Sequence, residues 1–87
     1  MSDYSFRLSR VAEKGLARLD PELLRRIGRR LEQLCENPRD PRLTRELVNR
    51  RGLRRTRVGA YRIVFRIDDE ARMLFFETIA PRGEAYE

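Results

Sequence analysis

The sequence predicts an α+β fold of order β-α-α-β-β-β, with two N-terminal helices packed on one face of a small, mostly antiparallel twisted sheet. Three observations carry this reading. An apolar stripe at helical spacing runs through residues 21–36. From Leu53 onward the pattern switches to period two. Short glycine-bearing or charged turns punctuate that second half.

Tyr4-Ser5-Phe6-Arg7-Leu8 alternates apolar and polar residues, as a half-buried strand does. Ser9 is positioned to cap a helix whose stripe is Val11, Ala12, Leu16 and Leu19, despite Gly15. Asp20-Pro21 is a stronger start signal, an N-cap followed by proline at the first helical position. Leu23, Leu24, Ile27, Leu31 and Leu34 then share one face, with Arg25 and Arg29 roughly opposite and Arg26 and Arg30 flanking. That stripe reads as core packing rather than a partner-binding seam, because helices normally bury such a face. Cys35 at its edge reads as structural. Asn37-Pro38 ends the helix, since the residue before proline avoids helical geometry. A polar connection from Arg39 to about Gly52 is expected to hold a turn of helix around Leu43–Val48.

Three strands follow. Leu53 to Val58 closes at Gly59, Tyr61 to Ile67 alternates, and Met73 to Ile79 is apolar on both faces, as a central strand should be. Between the last two, Asp68-Asp69-Glu70 reads as a solvated charged turn rather than a metal site, whose carboxylates must converge.

Length and composition bound the rest. The 87 residues are expected to form one domain, 1–87, with no room for a second core. One cysteine excludes an intramolecular disulfide and suits a reducing cytosol. Met1-Ser2-Asp3-Tyr4 does not open a signal peptide, and no stretch approaches the roughly 20 apolar residues of a membrane span. A cytoplasmic location with no membrane partner is expected.

Net charge is +6, and 19 of the 20 basic residues are arginine. A GC-rich genome would also produce that ratio, but not the placement of the charge. Residues 1–36 carry net +2 and residues 67–87 net −4, whereas 37–66 hold ten arginines against Asp40 and Glu46. This block reads as the footprint of a nucleic acid or an acidic protein. Period two places Arg55 and Arg57 on one face of their strand, Arg54 and Thr56 on the other. If the helices cover Ile63 and Phe65, then Arg62 and Arg66 lie on the open face, where Arg55 and Arg57 join Arg62 across the hairpin. Converging guanidiniums suit phosphates. Taken singly, such arginines also protect an exposed sheet from aggregation.

The absence of histidine removes His-based acid–base pairs, Ser-His-Asp and Cys-His arrangements, and the usual zinc sites. No glycine-rich phosphate loop is present. Any catalysis must rest on arginines, a tyrosine or Lys14, acting through positioning and charge. No metal and no cofactor are expected.

The stretch Leu53 to Glu70, LRRTRVGAYRIVFRIDDE, resembles the signature of RelE/ParE-type toxins: a basic strand, a short turn, then Tyr-Arg and an apolar strand ending in acids. Leu31 to Pro38 is similar to the end of that family's second helix, and Ile79 to Tyr86 to its closing Arg-x-x-x-Tyr element. The resemblance implies a RelE-like messenger-RNA endonuclease (mRNA interferase) acting in the ribosomal A site, without metal or cofactor. It assigns Arg55 and Arg57 to the substrate backbone and Arg62 to the phosphorane-like transition state. Arg82 is assigned to phosphate contact or the leaving group, and Tyr86 to stacking on a base and proton transfer. Arg57, Arg62, Arg82 and Tyr86 are thus the catalytic candidates, and Arg51, Arg54, Arg55 and Arg66 the RNA-binding ones. Arg54 and Thr56 stand where many relatives carry apolar or aromatic residues, and a register slipped by one would exchange Arg54 for Arg55. Simple packing is the alternative role for Tyr86.

The implied partners are a cognate antitoxin, messenger RNA in the ribosomal A site, and operator DNA only indirectly through the antitoxin. Two other functions stay open: a ParE-like toxin that inhibits DNA gyrase and cuts nothing, and an inactive relative serving as a complex partner.

Overall fold

The computed structural model describes residues 3–81. Its elements are β1 (Ser5–Leu8), α1 (Arg10–Ala17), α2 (Pro21–Glu36), β2 (Thr44–Glu46), β3 (Leu53–Val58), β4 (Tyr61–Asp68) and β5 (Met73–Pro81). Both helices start where the caps predict. The Ser9 hydroxyl accepts from the Ala12 amide at 3.0 Å, and the Asp20 carboxylate accepts from the Leu23 amide at 2.8 Å. Each cap satisfies an amide that has no partner within its helix.

The strands form one sheet of order β1-β5-β4-β3-β2, with β1 parallel to β5 and the other pairs antiparallel. The chain therefore lays its first strand on the far edge, beside its last. The expected turn of helix around Leu43–Val48 is not formed; Thr44–Glu46 instead adds β2 to the β3 edge. Arg, Glu and Leu favour helix locally, but pairing with Arg54–Thr56 decides the conformation.

The helices cover one sheet face. Ala12, Ile27, Leu31, Leu34 and Cys35 pack there on Ile63, Phe65, Leu74, Phe76 and Ile79. The leucine stripe of α2 is thus core, except that Leu24 stays exposed. Burial pushes the Cys35 thiol up from its ordinary pKa, in keeping with a structural role. Leu74, Phe76 and Ile79 share the core face although their spacing is two and then three. A β-bulge explains this: Thr78 pairs with Val64 and Phe76 with Phe65, leaving Glu77 as the extra residue. The carbonyl of Glu77 accepts the Ser9 hydroxyl at 2.7 Å, so the bulge also anchors the start of α1.

Gly15 allows α1 to lie this close. A Cβ there would collide with the Ile79 carbonyl oxygen and stand 3.0 Å from its carbon. On the opposite sheet face a small cluster of Leu47, Leu53 and Val64 lies at one end. Alongside it the sheet is open.

Candidate nucleic-acid interface

The register of β3 and β4 settles which side chains share the open face. Arg57 lies directly across from Arg62 and Arg55 from Val64, while Thr56 lies across from Ile63 on the helix side. In β2, Arg45 lies across from Arg55. Four arginines, Arg45, Arg55, Arg57 and Arg62, line a groove of ≈ 290 Å³. Glu46, Leu47, Val48 and Asn49 contribute to the same lining, so one carboxylate stands among the four arginines. Arg57 is exposed, whereas Arg55 and Arg62 are half-buried, the Nε and Nη1 atoms of Arg62 being shielded from solvent. Two pairs of like charges thus stand opposite each other on one face, an arrangement that costs about 0.2–1 kcal/mol per pair. An anion in the groove would reverse that cost.

Of the sequence candidates, Arg55, Arg57 and Arg62 come together, and three others do not join them. Arg54 faces the helices, its Nε donating to the Thr44 hydroxyl at 3.3 Å, so the slipped register is not adopted. Arg66 shares the open face but stacks over the Phe75 ring at 4.7 Å, with its Nε 3.7 Å from a Glu77 oxygen. Arg51 is exposed in the turn before β3, apart from the groove lining. Arg82 and Tyr86 lie outside the described residues. Sequence reasoning missed Arg45, because a three-residue strand is too short to display a period.

The polar helix-facing side of β3 has its own partners. Arg30 of α2 donates through Nη1 to the Thr56 hydroxyl and to the Arg57 carbonyl, both at 2.7 Å. Thr56 in turn donates to the Leu43 carbonyl at 2.7 Å. The strand carrying Arg55 and Arg57 is therefore held from behind by α2 and by the segment leading into β2.

The acidic turn is also partnered. Both oxygens of Asp69 accept from the Arg39 fork at 3.1 and 3.0 Å, and the Tyr4 hydroxyl donates to it at 2.6 Å. The Arg39 fork and the Tyr4 hydroxyl hold the Asp69 carboxyl below its ordinary pKa, while the same hydrogen bond raises that of Tyr4. This cluster ties β1, the α2–β2 connection and the β4–β5 turn together.

Residues 6–86 match the family model for the ParE toxin of the type II toxin–antitoxin system parDE. The chain belongs to that family. It is a type II toxin of the RelE/ParE superfamily. No curated protein matches it. Among solved structures the toxin is similar to the RelE–RelB complex of the archaeon Pyrococcus horikoshii, at 22% identity and TM-score 0.78, over 95% of this chain and 99% of that one. The RelBE2 toxin–antitoxin complex of Mycobacterium tuberculosis is 28% identical with TM-score 0.78, over 92% and 99%. The isolated RelE toxin of Escherichia coli is 20% identical with TM-score 0.79, over 97% and 88%. The toxin shares their α+β fold of two helices on a five-stranded mixed sheet.

Proposed function

We propose that the toxin is a ribosome-dependent endoribonuclease that cuts messenger RNA and is neutralised by a cognate antitoxin. The observation that carries this reading is the convergence of Arg45, Arg55, Arg57 and Arg62 on one groove, in like-charged cross-strand pairs. In the reaction, the 2′-hydroxyl of one nucleotide attacks the adjacent phosphate. The bond to the 5′ oxygen breaks, leaving a 2′,3′-cyclic phosphate and a 5′-hydroxyl. The pentacoordinate transition state carries nearly two negative charges; Arg62 is the residue assigned to stabilise it, and Arg57, assigned to the substrate backbone, reaches the same phosphate from directly across the strand pair. By analogy with a removed oxyanion donor, each contributes roughly 2–4 kcal/mol. Arg55 holds the substrate backbone.

Guanidinium cannot take up the proton of the 2′-hydroxyl at any physiological pH. That step falls to another group, and Tyr86 and Arg82 are assigned to proton transfer and to the leaving oxygen, respectively. The Pyrococcus and Mycobacterium relatives were solved as toxin–antitoxin complexes, which supports a RelB-like antitoxin as the partner here. Contact with operator DNA is then indirect, through that antitoxin. Cytoplasmic action accords with the finding that no described helix is long and apolar enough to cross a membrane.

The name of the matching family favours a second reading, a ParE-like toxin that inhibits DNA gyrase without cutting RNA. Primer extension on a reporter message after brief induction separates the two, comparing wild type with Arg62→Ala. Cuts within translated codons that disappear in the variant are the expected result. Growth arrest without new 5′ ends, accompanied by DNA-damage induction, would point to gyrase instead.

A further inference from the structure

Three arginine-lined grooves meet around Arg57. The first is the open-face groove. The second, of ≈ 220 Å³, crosses the β2–β3 edge and is lined by Arg30, Arg42, Arg45, Arg55 and Arg57. The third, of ≈ 270 Å³, lies between α2 and the β3–β4 turn, lined by Arg26, Arg29, Arg30 and Arg57 with Gln33 and Gly59. Arg57 lines all three, Arg45 and Arg55 the first two, and Arg30 the last two. No Asp or Glu lines the second or third groove.

The geometry points to an extended RNA footprint, and it rests on the ribonuclease reading of the open face. We infer that a strand held in the reaction groove continues over Arg57 and along α2, where Arg26 and Arg29 bind phosphates of that same strand beyond the reacting nucleotide. Three features argue for a phosphate backbone rather than an acidic protein. The track is continuous with the reaction groove through shared arginines. Its stretch along α2 offers no exposed apolar centre of the kind a protein interface needs, since Val58, the apolar residue lining the third groove, is buried. Two of its cations, Arg26 and Arg30, also lie against fixed parts of the fold. Gly59 adopts φ +59°, and the Arg26 guanidinium lies against it, 3.5 and 3.6 Å from where a Cβ would stand. Arg30 is fixed by its bonds to Thr56 and the Arg57 carbonyl. Such preorganised forks lose little side-chain freedom on binding phosphate. No aromatic residue lines any of the three grooves, so the track reads the backbone and tolerates any base sequence.

Salt dependence tests this directly. Binding of the free toxin to a fluorescent 2′-O-methyl RNA of about 12 nucleotides, which cannot be cut, is measured across a salt series. Each phosphate contact on a single strand contributes about 0.7 to the slope of log K against log salt, so Arg26→Gln/Arg29→Gln should lower it by about 1.4. Arg7→Gln/Arg25→Gln removes the same charge from exposed positions outside the grooves and should keep the wild-type slope. A double variant at 26 and 29 with the wild-type slope overturns the proposal. So does an equal fall in the control, which would mean diffuse attraction. If the slope holds but affinity for the antitoxin drops, the α2 row is a protein surface and the footprint is wrong. A wild-type toxin without salt-dependent RNA affinity would sink the open-face reading as well. A slope change in a toxin that cuts no message would leave the track standing and remove only the ribonuclease.

Discussion

Arg57 and Arg62 face each other across β3 and β4, and a residue pair of like sign in that position is a cost to the fold. Removing one charge should therefore separate stability from function. Arg57→Gln keeps the backbone carbonyl that Arg30 uses. We expect the folded state to gain about 0.2–1 kcal/mol. Cleavage in cells should fall about 100- to 1,000-fold, as when an oxyanion donor is lost. Thermal melting and primer extension on the same variant check both halves. A variant that melts lower and still cuts would show that Arg57 belongs to the scaffold. At this scale the sequence was informative about Arg55, Arg57 and Arg62, since period two along two adjacent strands fixes their common face. Arg45 was hidden because its strand exists only by pairing with β3.

Among the elements, the contact of α1 with β5 is the most exacting. Gly15 has no Cβ at the point where the helix meets the Ile79 carbonyl. In a free helix, glycine to alanine would gain about 1 kcal/mol. Here the new methyl meets backbone rather than a flexible side chain, and overpacking of about 1–3 kcal/mol opposes that gain. Gly15→Ala should lower Tm, by about 4–8 °C per kcal/mol of net loss for a chain of this size. An increase in Tm would mean that α1 can lift from the sheet at little cost. In the sequence Gly15 looked like a flaw in a helical stripe. The reason for it lies 64 positions further along the chain, where local pattern cannot reach. The bulge at Glu77 is similar: it brings Leu74, Phe76 and Ile79 to one face, where strict alternation predicts two.

For the molecule as a whole, Asp40 and Asp69, the described carboxylates held below their ordinary pKa, shape its response to acid. The Arg42 fork and amide hold Asp40 below its ordinary pKa, and Arg39 with Tyr4 does so for Asp69. A carboxyl whose folded pKa is depressed stabilises fully above its unfolded value, about 3.9, and that contribution is lost as pH falls through the folded value. Tm should therefore hold down to about pH 4 and decline below it. Asp40→Asn/Asp69→Asn should start lower at neutral pH and decline less steeply. Equal acid slopes in wild type and variant would assign the sensitivity to other groups. Asp69 reads as part of a solvated turn in sequence, because Tyr4 and Arg39 are remote from it along the chain and meet it only when β1 docks beside β5.

By itself the sequence determined what depends on near neighbours: helix starts at Ser9 and Asp20, the buried stripe of α2, the alternation of β3 and β4, and the concentration of arginine in residues 37–66. Those features follow from capping geometry and from the periods of helix and strand, which act within a few residues. Only the tertiary structure decided that residues 44–46 become an edge strand, that the first strand runs parallel to the last, and that α2 brings Arg26 and Arg29 beside Arg57. Each of these requires closing a long loop so that distant residues meet, and the free energy that favours it resides in the contact rather than in either segment.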